Sequence, residues 1–316
     1  MHVLLDCDPG HDDMLAILLA APHLDVVGIT TVHGNQSVDK TTLNALKILE
    51  LAGLDIPVSR GLSKPLVQDA VFVPQMHGES GLDGAELPEP TRVPTEIDAV
   101  QAIVAASTRY DDLVLVPTGP LTNIAAALIV DPTLAGRVRE ISLMGGSLTF
   151  GNWTPAAEFN IWADPEAADI VFRSGIPIRM FGLNVTRRAA ATDARIARIR
   201  TQGSHLSEVV ADLLEFYSAS SKRLYGLSGA SLHDPLAVAT LIRPELFELQ
   251  DLHVAIELTG ARTRGMTVCD YRHASTPEIQ ERDAEPRGET PNAKVAVDID
   301  VEGFFDLLAE TLGQYA

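Results

Sequence analysis

The chain has 316 residues, 46% of them hydrophobic, enough for a sizeable core, and 43 acidic against 24 basic side chains give a formal charge of -19. That balance disfavours nucleic-acid polymers and anionic membrane surfaces as partners. Two cysteines, Cys7 and Cys269, make neither a disulfide framework nor a thiolate metal site, no apolar run reaches the ~18 residues of a membrane span, and a signal-sequence pattern is missing, so a cytoplasmic protein is expected.

The chain opens on HVLLD, a short aliphatic run that reads as a buried strand. DVVGITTV, DLVLVPTG, EISLMGG and PIRMFGL read the same way, several ending in Gly or a polar residue as parallel strands do. Between them lie the helical patterns DDMLAILLAA, VDKTTLNALKILELAG, EIDAVQAIVAAS, LTNIAAALIV and PEAADIVFRSG. The alternation predicts βαβ units. From about residue 189 to 242 the pattern is mainly helical, then DLHVAIEL, GMTVCD and AKVAVDID read as strands and VEGFFDLLAETL as a closing amphipathic helix. The polar stretch from Tyr271 to Pro291 reads as an exposed loop. The expected fold is α/β: one domain over residues 1–316, a mostly parallel central sheet flanked by helices, with a helical addition in the second half.

Ligands of open parallel sheets bind beyond the carboxyl ends of the strands. There the sequence DCDPGHDD places Asp6, Asp8, Asp12 and Asp13 within eight residues. Four like charges so close repel unless a cation sits among them or some hold protons. Helix capping accounts for Asp12 or Asp13 singly, not for four. Grouped hard oxygen ligands suit calcium or magnesium, and an EF-hand is excluded because a strand precedes the loop. Further polar residues recur at strand ends: Asn35 after TTVHGN, Thr118 and Asn123 in VPTGPLTN, Asn152, Glu158 and Asn160 in GNWTPAAEFN, and His233 with Asp234 in LHDP at a helix start. Each alone has a bland reading as a turn, cap or core residue. Their joint placement favours a site.

DCDPGHDD with its preceding strand resembles the N-terminal signature of the nucleoside hydrolases, and PTGPLTNIA, GNWTPAAEFN followed by DPEAA, and LHDPLAVA resemble that family's later motifs in order. The resemblance implies hydrolysis of the N-glycosidic bond of ribonucleosides with one calcium ion. It implies that Asp8, Asp13, the Thr118 carbonyl and Asp234 hold calcium, with Asp6 in support, and that Asp8 is also the general base toward water at the metal. Asp12, Asn35, Asn152, Glu158 and Asn160 would contact the ribose and its surroundings. His233 matches the position of a general acid toward the leaving base, a role that suits a near-neutral pKa.

HGESGLDG resembles the family's loop over the base, making His77 a candidate contact; its bland reading is a flexible turn. Phe159 and Tyr225 are candidate base contacts, Tyr217 is balanced between stacking and core, and Met144 lines the pocket or fills space beneath the sheet. A homodimer or homotetramer is implied by the resemblance alone. Two rivals remain: a haloacid dehalogenase-like phosphohydrolase, and a non-catalytic nucleoside- or calcium-binding protein. The first wants a lysine in context, which Lys222 lacks, and none of the quoted motifs contains Lys or Arg. Retention of both Asp8 and His233 speaks against the second.

Overall fold

The computed structural model describes residues 1–272 and 289–315. Its strands are β1 (His2–Cys7), β2 (Asp25–Thr31), β3 (Val58–Arg60), β4 (Val114–Pro117), β5 (Glu140–Met144), β6 (Ile178–Phe181), β7 (Ala190–Ala191), β8 (Ala230–Ser231), β9 (Phe247–Ile256), β10 (Thr267–Asp270) and β11 (Ala293–Ile299). Nine form one sheet in the order β10-β9-β11-β6-β5-β4-β1-β2-β3. Every pair from β11 to β3 is parallel, and β9 and β10 extend the β11 edge antiparallel. The chain winds from β1 outward to β3, then returns across β1 to continue with β4, β5 and β6. The point where the winding reverses lies between β1 and β4, and there the strand tips diverge to leave a crevice.

Along β1 the side chains alternate between two cores, Val3, Leu5 and Cys7 on one face and Leu4 on the other. The first face is covered by α1 (His11–Ala20), α2 (Val38–Ala52), α10 (His205–Tyr225), α11 (Pro235–Ile242) and the C-terminal helix Val301–Leu312. The second is covered by α4 (Ala99–Arg109), α5 (Thr122–Val130) and α7 (Pro165–Phe172). Short helices α3 (Pro74–His77), α6 (Phe159–Ala163), α8 (Leu183–Thr186) and α9 (Asp193–Arg200) complete the helices used below. Helix α1 is buried over its whole length, which its near-continuous apolar sequence requires. Cys7 is fully buried in the core, as a small hydrophobe would be.

The expected strands and helices form, with boundaries moved by a few residues. Strand β3 was not anticipated, because three residues carry no readable period. The helical stretch after residue 189 is interrupted by the two-residue antiparallel pair β7 and β8. Of the expected loop from Tyr271 to Pro291, residues 273–288 lie outside the described residues, and the flanking Tyr271, Arg272, Glu289, Thr290 and Pro291 are exposed. Among the described residues no helix is long and apolar enough to cross a membrane.

Candidate active site

The crevice is framed by the tips of β1 and β4. Asp6, paired in register with Thr30 of β2 and Pro117 of β4, accepts bonds at Oδ1 from Thr30 Oγ1 (2.6 Å) and Asn123 Nδ2 (2.7 Å). Among the described residues its Oδ2 has no partner, and burial pushes its pKa up to about 7. Asp8, beyond the strand, accepts the Asn35 backbone N–H at Oδ2 (2.7 Å). Two glycines press on the same carboxylate: a Cβ on Gly34 would stand 2.1 Å from Asp8 Oδ2, and one on Gly119 would stand 2.5 Å from Oδ1. Only glycine admits the carboxylate at these two places. Asp13 accepts Gly10 N–H (2.9 Å) and Asn35 Nδ2 (3.2 Å) at one oxygen and Thr118 Oγ1 (2.7 Å) at the other. It therefore ties the start of α1 as well as joining the cluster. Asp12 accepts the His233 backbone N–H (3.1 Å). Asp234 occupies the cap position of α11 but makes no side-chain capping bond, so its carboxylate belongs to the crevice.

Carboxylate oxygens of Asp12, Asp13 and Asp234 lie within 4.8 Å of one another, all three side chains buried. Asp8 stands against this trio rather than inside it, close enough to feel the charges of Asp13 and Asp12. Burial first, then these mutual charges, raise Asp8 and Asp234 well above the carboxylate range and Asp12 to about 7; burial raises Asp13. Among the described residues no Lys, Arg or His bridges any of them. Four buried carboxylates offering only oxygen, without a protein counter-charge, are a fit for a hard cation.

Next to the cluster, Asn160 Nδ2 donates to the carbonyls of Thr118 (2.7 Å) and Met144 (3.2 Å). Glu158 caps α6, accepting from Asn160 N–H (2.9 Å), Ile161 N–H (3.2 Å) and Gly146 N–H (2.9 Å). Burial nevertheless pushes Glu158 up to about 7. Asn152 Oδ1 accepts Phe159 N–H (2.9 Å), holding the GNWTPAAEFN loop on the same helix start. Asp12, Asn35, Thr118, Met144, Asn152, Glu158, Asn160 and Asp234 all line one cavity that opens to solvent.

The other expected contacts line the same cavity farther out. His77 ends α3, fully wrapped, its Nδ1 3.1 Å from Nδ1 of His11, whose Nε2 donates to the Asp83 carbonyl (2.8 Å). That bond puts the proton of neutral His11 on Nε2, and the His11 backbone N–H also points at His77 Nδ1 (3.4 Å). Burial holds His11 down at about 4 and His77 well below its ordinary value. The following loop is tied rather than loose: the Asp83 carboxylate accepts Glu79 N–H (2.9 Å) and Ser80 N–H (3.2 Å). Tyr217 is both things at once, buried beneath the two imidazoles (ring centroids 5.1 and 5.0 Å) and part of the cavity wall. Tyr225, at the end of α10, is 55% exposed at the mouth. Phe159 meets Trp153 edge-on (5.3 Å). His233 receives or gives a bond at Nδ1 with Thr186 Oγ1 (2.7 Å). Burial, then the Arg187 charge, push it down to about 3, so it is neutral rather than poised near pH 7.

Trp153 and Arg187 are among the cavity residues that escaped the sequence reading. Trp153 lies inside the GNWTPAAEFN motif and was readable as an aromatic beside polar groups. Arg187 follows α8 in the NVTRR stretch, which bears no motif, and it supplies the cationic side chain that the quoted motifs lack.

A family model described as inosine-uridine preferring nucleoside hydrolase matches residues 3–306. The chain is 48% identical to the pyrimidine-specific ribonucleoside hydrolase RihA of Citrobacter koseri, over 99% of this chain and 98% of that protein. It is 47% identical to the RihA of Shewanella woodyi with the same coverage. Among solved structures, the purine-preferring ribonucleoside hydrolase of Gardnerella vaginalis superposes with a TM-score of 0.90 at 35% identity, covering 100% of this chain and 99% of that one.

Proposed function

Because the chain belongs to the inosine-uridine preferring nucleoside hydrolase family and is a ribonucleoside hydrolase, cleaving the N-glycosidic bond to ribose and free base, we propose that its buried carboxylates hold calcium and serve a pyrimidine-preferring site. The observation that carries the reading is the group Asp8, Asp12, Asp13 and Asp234, buried together without a basic partner. Asp8, Asp13 and Asp234 and the Thr118 carbonyl would hold the ion, with Asp6 supporting from behind. When bound, calcium offsets the mutual repulsion of these carboxylates and makes neighbouring water more acidic.

The chain's own groups divide the rest of the work. Asp8, pinned by Asn35 N–H and walled by Gly34 and Gly119, takes the proton of the attacking water. Asp12, Asn35, Asn152, Glu158 and Asn160 hold the ribose hydroxyls, and the ring of carboxylates favours the positive charge that grows on the sugar as the bond breaks. His233, kept neutral, meets the departing base as a hydrogen-bond donor, and it becomes an acid only if the complex restores its proton. His77, Met144, Phe159 and Tyr225 shape the base end. The preference for pyrimidines rests on the RihA relatives, which are more similar to this chain than the purine-preferring structure is. The family resemblance also supports one domain over residues 1–316 and a cytoplasmic homodimer or homotetramer working in nucleoside salvage.

The test is ribose release from uridine, cytidine, inosine, adenosine and guanosine, before and after chelation, alongside Asp8→Asn. Expected are uridine and cytidine ahead of the purines, loss on chelation with recovery in calcium, and a kcat lower by about 10²–10⁴-fold in Asp8→Asn. Purines ranking first would overturn the base preference, and full activity after chelation would overturn the calcium site.

A further inference from the structure

Arg187 stands out among the residues that line the cavity. It is the one Lys or Arg among the described lining residues, and it is exposed, as Tyr225 is, whereas the carboxylates of Asp12, Asp234 and Glu158 are buried. Its guanidinium carbon lies 4.6 Å over the ring of Phe150, a cation–π contact that holds the group without using its N–H donors. Among the described residues those donors meet no carboxylate, carbonyl or hydroxyl. The adjacent Arg188 shows the contrast: it is paired with Asp298 and also donates to the Ile299 carbonyl (3.3 Å). In a chain of charge -19, an arginine without an acidic partner at the mouth of a small-molecule cavity is an unused binding group.

The charge layout of the cavity matches the charge separation of the reaction. Breaking the C1′–N bond leaves positive character on the sugar and sends the electron pair onto the base. Carboxylates stand where the sugar would lie, and the guanidinium stands where the base would leave. We propose that Arg187 receives the departing base, its guanidinium binding a ring carbonyl oxygen so that an oxo-base such as uracil leaves as an anion. This rests on the nucleosidase reading of the same site.

Water forms the new C1′–O bond, and its proton passes to the Asp8 carboxylate. The C1′–N bond breaks with its electron pair delocalised through the ring to the carbonyl oxygen held by Arg187. The base anion then takes a proton from solvent, and Asp8 returns its own. An arginine does not lose its proton in proteins, so its part is to stabilise charge rather than to act as an acid. The class of substrate this favours is the ribonucleoside whose base carries a carbonyl conjugated to the glycosidic nitrogen, and adenosine, with none, falls outside it.

The experiment compares wild-type, Arg187→Met and Arg187→Lys on uridine and 5-fluorouridine, whose fluorinated ring bears negative charge better. Loss of a charged hydrogen bond made mainly in the transition state lowers kcat by about 10- to 100-fold with little change in KM. Arg187→Met should show that loss on uridine, a clearly smaller one on 5-fluorouridine, and partial recovery in Arg187→Lys. An equal loss on both substrates, a change confined to KM, or wild-type rates would overturn the assignment. A wild-type enzyme that releases ribose from no nucleoside would instead overturn the underlying reading, and this one with it.

Discussion

Gly119→Ala adds one methyl group, and the structure says where it goes. The new Cβ would stand 2.5 Å from Asp8 Oδ1, 2.9 Å from Asp8 Cγ and 3.0 Å from Val32 Cγ1. Ordinary contact begins near 3.4 Å, so the carboxylate must retreat by roughly an ångström. Retreat is opposed on the far side, where Asn35 N–H holds Oδ2 at 2.7 Å and the Gly34 backbone closes in. A displacement of about 1 Å in a reacting group costs on the order of 10²-fold in rate, or ~2.7 kcal/mol of barrier. The expected result is therefore a kcat for ribose release down about 100-fold. Thermal melting of the same sample shows whether the fold survives the ~1–3 kcal/mol of overpacking. Gly28→Ala is the control, since its Cβ would meet nothing closer than 3.7 Å. Should Gly119→Ala keep kcat within threefold of wild type in saturating calcium, Asp8 is not the base or its position does not matter.

Two further outcomes can be measured directly. Asp6, Asp12 and Glu158 titrate at about 7 in the fold against ~4 when unfolded, so the folded state holds extra protons and loses stability as pH rises through 7. Buried His11 and His33, at about 4, and His233, at about 3, act in the opposite sense, but only below ~6.5. Calcium-free protein should thus melt lower as pH is raised from ~6.5 to 8, and calcium should remove most of that fall; a melting point that climbs over this window without calcium would contradict an origin in these carboxylates. Asp83→Ala releases the turn that follows His77 by deleting bonds from Glu79 and Ser80 N–H, so KM for uridine should rise about fivefold, ~1 kcal/mol, with kcat changed less, and hydrogen exchange at residues 78–82 should quicken.

The acidic cluster was legible because a strand, a turn and a helix start are local features, and four aspartates across them have no other ready use. The strand-end asparagines were legible for the same reason. Their hydrogen bonding was not: Glu158 is at once a helix cap and part of the cavity, and Asp234 sits at a cap position without capping. Tyr217 shows why helical spacing alone could not decide between core and site, since a residue under two imidazoles serves both. His233 was expected near neutral pKa, and its burial beside Arg187 could only come from the tertiary fold. Arg187 itself lies in NVTRR, where nothing nearby in sequence shares its task; Phe150 reaches it from 37 positions away. Strand β3 is too short to show a period.

On the proposed reading, the sugar end of the crevice is made from the tips of the two central strands and from helix starts clamped to them, while the base end is made from α3, the turn after α8 and the last turn of α10, which stops at Gly226 in a left-handed conformation (φ 66°). These outer pieces are surface segments, and they can diverge without disturbing the inner ones. Descent within such a family can then exchange one preferred base for another while inheriting the hydrolytic chemistry unchanged. The backbone shared with a purine-preferring hydrolase at a TM-score of 0.90 is what that arrangement leaves behind. It also marks the segments an engineer would graft: residues 73–84 together with 217–227, moved as a pair, and Arg187 with whatever aromatic ring it rests on.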